Sequence, residues 1–127
     1  MNNEQEQKNH RPTLEQKRAQ HAWNAVQEMK ENEKSKEEGR ETKKMPVRII
    51  TAGLGQSLAF LEAKKNGEIL RRKLSDWINQ RIPAKESDLL NRIKDGDSDF
   101  LRRATDEAMA YLQWLVRFAE AERLTDE

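Results

Sequence analysis

A chain of 127 residues, 37% charged and 6% aromatic, suits one compact domain with a modest, mainly aliphatic core. Its 24 Lys and Arg against 23 Asp and Glu leave a net charge of +1, so no global field demands a polyanionic partner. The lack of cysteine excludes a disulfide framework, a thiolate metal site and a thiol nucleophile, and fits a cytoplasmic protein; no apolar run is long enough to span a bilayer.

Residues 1–11 are polar and aperiodic and read as a disordered tail ahead of a single helical domain, 12–127. The N-terminal MNNEQEQKNH has no apolar h-region and so is not a secretory signal. Pro12 and Thr13 open a helix, with Thr13 as N-cap and Gln16 as its capping-box partner. Ala19, Ala22, Trp23, Val26 and Met29 have the spacing of one apolar face, and the helix is expected to end near Asn32. Glu33 to Lys44, EKSKEEGRETKK, is nearly all charge of mixed sign and is interrupted by Gly39. It reads as a solvated linker, or as a helix end followed by another polar helix start.

Met45 to Lys65 is the longest weakly charged run. Pro46 suits a first turn. Val47, Ile50, Leu54, Leu58 and Leu61 then form one helical stripe, and Ile49, Ala52, Gln56, Phe60 and Ala63 lie near the opposite side. A helix apolar on both sides is expected to be buried on both. Gly53 and Gly55 each cost roughly 1 kcal/mol in a helix interior, which implies close approach of a crossing helix or a local break. The first of these predicts a neighbour close to both glycines and a buried, internally hydrogen-bonded Gln56. GLGQS lacks the lysine and glycine spacing of a phosphate-binding loop.

Asn66 and Gly67 stop this helix. Glu68 to Ile82 forms the next, with Leu70, Leu74, Trp77 and Ile78 inward, Arg72 pointing away, and Arg71 and Lys73 on its flanks. Pro83 ends it. A short helix, Ser87 to Lys94, turns Leu89, Leu90 and Ile93 inward, and DGDS (95–98) supplies a turn and an N-cap. The last helix runs from Ser98 or Asp99 to Arg123, with Leu101, Ala104, Ala108, Leu112, Leu115 and Ala119 on its main face. Phe100, Tyr111, Phe118 and Trp114 widen that face beyond what a small bundle needs. Tyr111, Trp114 and Phe118 are therefore candidates for a subunit interface, unless neighbouring helices wrap them. The fold class is all-α: a compact bundle of about five to six helices around a central helix at 46–65 and a long C-terminal helix.

No catalytic constellation, metal site or cofactor is expected. His10 and His21 lack a ligand pattern and read as solvated. Asp106 and Glu107 are adjacent on a helix and do not face one another. No serine has a nucleophile-elbow context. Lys64 to Lys85 is basic, whereas Glu86 to Glu107 is acid-rich. These read as solvated faces or as complementary halves suited to head-to-tail stacking of copies.

The run MPVRIITAGLGQSLAFLEAK, tryptophans at 23 and 77, and the closing ATDEAMAYLQWLVRFAEA resemble the small helical subunit of the type III-B CRISPR effector, the Cmr complex, over residues 13–123. Ala52 departs from the polar residue, commonly asparagine, that the family often places before GLGQ. The resemblance implies a non-catalytic, antiviral-defence subunit in several copies within an RNA-guided ribonucleoprotein. Its partners would be further copies of itself, the backbone and large subunits, guide RNA and target RNA. Charge nominates Lys64, Lys65, Arg71, Arg72 and Lys73 for sequence-independent RNA-backbone contact, with Arg48 and Arg103 as second choices. The alternative is a helical protein–protein adaptor without nucleic-acid contact.

Overall fold

The computed structural model describes residues 11–126 and shows α-helices without strands among them. In chain order these are α1 (Leu14–Glu31), α2 (Ser35–Ala52), α3 (Leu54–Lys64), α4 (Glu68–Arg81), α5 (Leu89–Asp95) and α6 (Ser98–Ala121). The expected all-α class and helix number hold. The expected tail falls mostly on residues 1–10, outside the described residues.

Local chemistry places the helix starts. At α1 the Thr13 hydroxyl accepts from the Gln16 N–H (3.1 Å) and the Gln16 side chain accepts from the Thr13 N–H (2.7 Å), closing the expected capping box. At α6 the Asp97 carboxylate accepts from the Phe100 N–H at 2.8 Å. From that cap α6 presents Ala104, Ala108, Tyr111, Leu112, Leu115 and Ala119 to the interior, all fully buried. It lies along α1 and α2, with α4 against it as well, so α6 is the axis of the core. Enclosing each large aliphatic side chain stabilises the fold by roughly 1.5–3 kcal/mol. Leu101, expected on this face, is 39% exposed: in the first turn of α6 Phe100 packs against the core instead, and full burial begins at Ala104.

Residues 33–65 depart most from expectation. The charged run is no linker but the second of its two readings, a new polar helix start: from Ser35 it forms the first half of α2, with Glu38, Gly39, Glu41 and Thr42 buried rather than solvated. Gly39 is a contact point. A Cβ there would strike the backbone carbonyl of Leu124, so only glycine lets the C-terminal segment lie against the helix. Pro46 consequently sits in the interior of α2 rather than in a first turn. The helix loses there the bond that an N–H at this position would make to the Thr42 carbonyl.

The long apolar helix is divided at Gly53, whose φ of +89° ends α2 and starts α3. An L side chain is strained at this φ. Nothing lies within 4 Å of where a Gly53 Cβ would stand, so close approach is not the reason for this glycine. It is the reason at Gly55, where Ile93 of α5 would come within 3.2 Å. Two-sided burial also fails. Ile49, Leu54, Leu58 and Leu61 are buried, but Val47 is 67% exposed, Ile50 75% and Phe60 42%, and Ala52, Gln56 and Ala63 are exposed. The core lies on one side of this stretch, and no described element covers the other.

The start of α4 shows how α2 is locked in place. Its N-cap is Gly67, which has no side chain to offer. The buried Glu38 of α2 takes that part, accepting from the N–H groups of Ile69 and Leu70 at 3.1 Å each. Burial raises the Glu38 carboxyl above its usual range, against the pull of those two backbone donors.

Candidate nucleic-acid and subunit interfaces

Most of the cations nominated by the sequence are held by the chain's own acids. Arg48 and Lys64 both bind Glu41, at 2.8 and 3.1 Å. Their charges also stand over the Phe60 ring, 4.3 and 5.3 Å from its centroid. Burial opposes ionisation of Glu41, but Arg48 and Lys64 outweigh it and hold the carboxyl below its usual range. Arg72 and Lys73 share Glu28, at 2.9 and 3.3 Å. Hydrogen bonding from Arg72 leads in holding Glu28 low.

These two clamps differ in depth. The Glu41 side chain is 4% exposed, so releasing Arg48 would strand a buried carboxylate. The Arg72 and Glu28 side chains are 55% and 41% exposed, so solvent screens the pair and it contributes little to stability. Arg71, on the flank of α4, forms no ion pair among the described residues, and neither do Lys65 and the exposed Arg103. Lys65 is in the left-handed conformation that ends α3 and borders a cleft with Glu31, Glu33 and Glu68, a poor setting for an anion. Outside that cleft, Arg71 and Arg103 are thus the nominated cations without an ion pair among the described residues, and Arg72 is held in an exposed one.

The aromatic candidates separate. Tyr111 is fully enclosed and belongs to the chain's own core, which corrects its assignment to an interface. It stacks on Trp77 at 5.6 Å with 14° between planes. Phe118 and Trp114 remain partly exposed, 5.7 Å apart. Phe118 meets Trp23 edge-on at 5.2 Å, and Trp23, expected inward, is 42% exposed. Trp114 donates its indole N–H to Glu15 at 3.1 Å.

Polar groups missed in the sequence fill the seam between α1, α4 and α6. His21, expected to be solvated, lies 2.6 Å from Asp76 through Nε2 and 2.5 Å from the Tyr111 hydroxyl through Nδ1. A neutral imidazole protonated at Nε2 satisfies both partners. The Tyr111 hydroxyl at the inner end of this chain is enclosed, and burial pushes its pKa far above the usual value. Glu107 accepts from Arg18, Trp77 and Arg81 at 2.6–3.2 Å. Burial opposes its charge, but Arg18 above all holds the carboxyl below its usual range. One signal was available: Glu107 falls between Ala104, Ala108 and Tyr111 on an otherwise apolar face. His10 lies outside the described residues, among which no group of His, Asp and Glu is arranged to hold a metal ion.

A second missed surface is the outer side of α2, where Arg40, Lys43 and Lys44 form no ion pair among the described residues and Val47 and Ile50 are exposed. No helix is long and apolar enough to cross a membrane among the described residues.

Fold and surface define a small all-helical protein whose distinctive chemistry lies on its faces rather than in a closed pocket. Residues 14–122 match the family model described as CRISPR-associated protein (Cas_Cmr5), and the chain belongs to that family. A crystal structure of a CRISPR-associated Cmr5 family protein from Thermus thermophilus has 28% sequence identity and a TM-score of 0.70, covering 87% of this chain and 97% of that one. Membership makes the chain a subunit type of the type III-B CRISPR complex, associating with other Cmr subunits.

Proposed function

We propose that this chain is a non-catalytic, cytoplasmic small subunit of the antiviral type III-B complex. It stacks in several copies and touches the guide–target duplex through its phosphates alone. The observation that carries the RNA contact is Arg71, unpaired among the described residues, beside Arg72 in an exposed pair. Two guanidiniums on one helix can neutralise phosphates without reading bases, which suits a complex whose sequence specificity comes from guide pairing. Arg103 is a secondary candidate, and the buried clamp on Glu41 removes Arg48 from the set.

Neutralisation tests this better than reversal, since a glutamate at 72 would repel Glu28. Arg71→Gln/Arg72→Gln in the reconstituted complex is expected to weaken target-RNA retention and to lower the salt slope by about one to two. An unchanged affinity and slope would remove this patch from the RNA path.

A further inference from the structure

Arg40, Lys44, Val47 and Thr51 are spaced four, three and four residues apart, so they form one ridge along the outside of α2. Lys43 and Ile50, seven residues apart, run beside it. An open groove of about 700 Å³ runs here along Arg40, Lys43, Lys44, Val47 and Arg48, with Ile50 beside it. The two aliphatic side chains are the most exposed large apolar groups among the described residues. They follow Arg40, Lys43 and Lys44, which no described acid neutralises, and adjoin Arg48, which Glu41 holds.

We propose that this ridge is the docking face for a neighbouring protein chain of the complex, and that the occupant is an aliphatic segment rimmed with carboxylates. The two halves of the surface argue jointly. Bare cations alone would suit phosphates as well as carboxylates. Val47 and Ile50 add nothing to a phosphate contact, and the ridge has no aromatic side chain on which a base could stack. Exposed aliphatic groups continuous with unpaired charges, here Arg40, Lys43 and Lys44 on the N-terminal side of Val47 and Ile50, suit a protein contact better than a phosphate contact. The rim cations then select an acidic partner and make the contact salt-sensitive.

A second copy of this chain is a poor match. Its acidic corner, Glu86, Asp95, Asp97 and Asp99, offers one exposed aliphatic side chain, Leu101, which is followed directly by Arg102 and Arg103. The carboxylates beside the apolar groove of its α6 are already held, Glu15 by Arg18 and Trp114 and Glu120 by Arg117, so the partner is a different protein of the assembly. This inference rests on the proposed subunit role and names the surface through which the subunit is held.

The test is incorporation into the reconstituted complex, scored beside target-RNA retention. Val47→Thr/Ile50→Thr keeps β-branched side chains on the helix while removing apolar surface, and Lys43→Glu/Lys44→Glu reverses the rim. Melting curves of the free subunits verify that each variant is folded. Both variants are expected to lower incorporation about tenfold or more, the effect of damaging the centre of an interface, whereas Arg71→Gln/Arg72→Gln incorporates normally. Full incorporation of both folded ridge variants overturns the proposal. So does a loss of RNA retention in Lys43→Glu/Lys44→Glu while Val47→Thr/Ile50→Thr behaves as wild type, since the ridge would then be a phosphate surface. Exclusion of the wild-type subunit itself would instead defeat the proposed function, a result distinct from either.

Discussion

The two sides of α2 are both charged, acidic within and basic without, and meet opposite fates. On the inner side Glu38 caps a neighbouring helix, Glu41 clamps two cations and Gly39 admits the C-terminal segment. On the outer side Arg40, Lys43 and Lys44 have no described carboxylate partner. The inner charges are fixed because each is buried against a specific donor, and a buried charge left without its partner costs several kcal/mol. The outer charges are solvated and cost nothing to leave unpaired, so they remain available. The difference teaches that in so charged a protein, the basic residues that can bind a partner are those the fold has not already used.

The sharpest way to break the comparison is Gly39→Ala. Its methyl must displace the Leu124 backbone, so an unfolding free-energy loss of about 3 kcal/mol is expected in urea titration, typical of overpacking. A loss under about 0.5 kcal/mol, as on an ordinary surface, would show that the C-terminal segment does not bear on α2.

A smaller effect is expected at Glu41, and it depends on pH. Its carboxyl is held below the usual value of 4.5 by Arg48 and Lys64 against the effect of burial. A depressed folded value means stability that is present above the unfolded pKa and lost as pH falls through the folded one. Wild type is therefore expected to exceed Glu41→Gln by about 1–2 kcal/mol at neutral pH, a range already reduced for the exposure of Lys64. The gap should narrow as pH drops below 4.5. A gap constant from about pH 7 to about pH 3 would mean that the clamp is not electrostatic.

The smallest effect belongs to the outer side. Lys43→Ala/Lys44→Ala is expected to change stability by less than about 0.5 kcal/mol in the free subunit. A larger loss in thermal melts would mean that these lysines are structural and would remove them from the docking rim.

Much of this architecture was legible in the residues. The Thr13–Gln16 capping box, the cap before α6 and the α6 stripe from Ala104 onward are local patterns, and the structure places them as their spacing implies. The inner face of α2 has a pattern too. Glu38, Thr42, Met45 and Ile49 follow one another at helical spacing, and all are buried. That face escaped notice because polar residues occupy positions where apolar ones are normally sought. Val47 and Ile50 misled in the opposite sense, being apolar and outside.

Among the candidate contacts, the sequence could count cations but not their partners. Arg72 and Lys73 meet Glu28 across more than forty residues of chain, and Lys64 meets Glu41 across 23. The family, the helical class, the helix caps and the core stripe of α6 depend on residue identity and short-range spacing, and the sequence determined them by itself. The tertiary structure alone decided which helix is the axis, which side of Met45–Lys65 faces water, why Gly53 and Gly55 are glycines, and which basic residues stay free. The physical reason is that burial and ion pairing depend on contacts of a few ångströms between segments far apart in the chain, and only the packed helices set those distances.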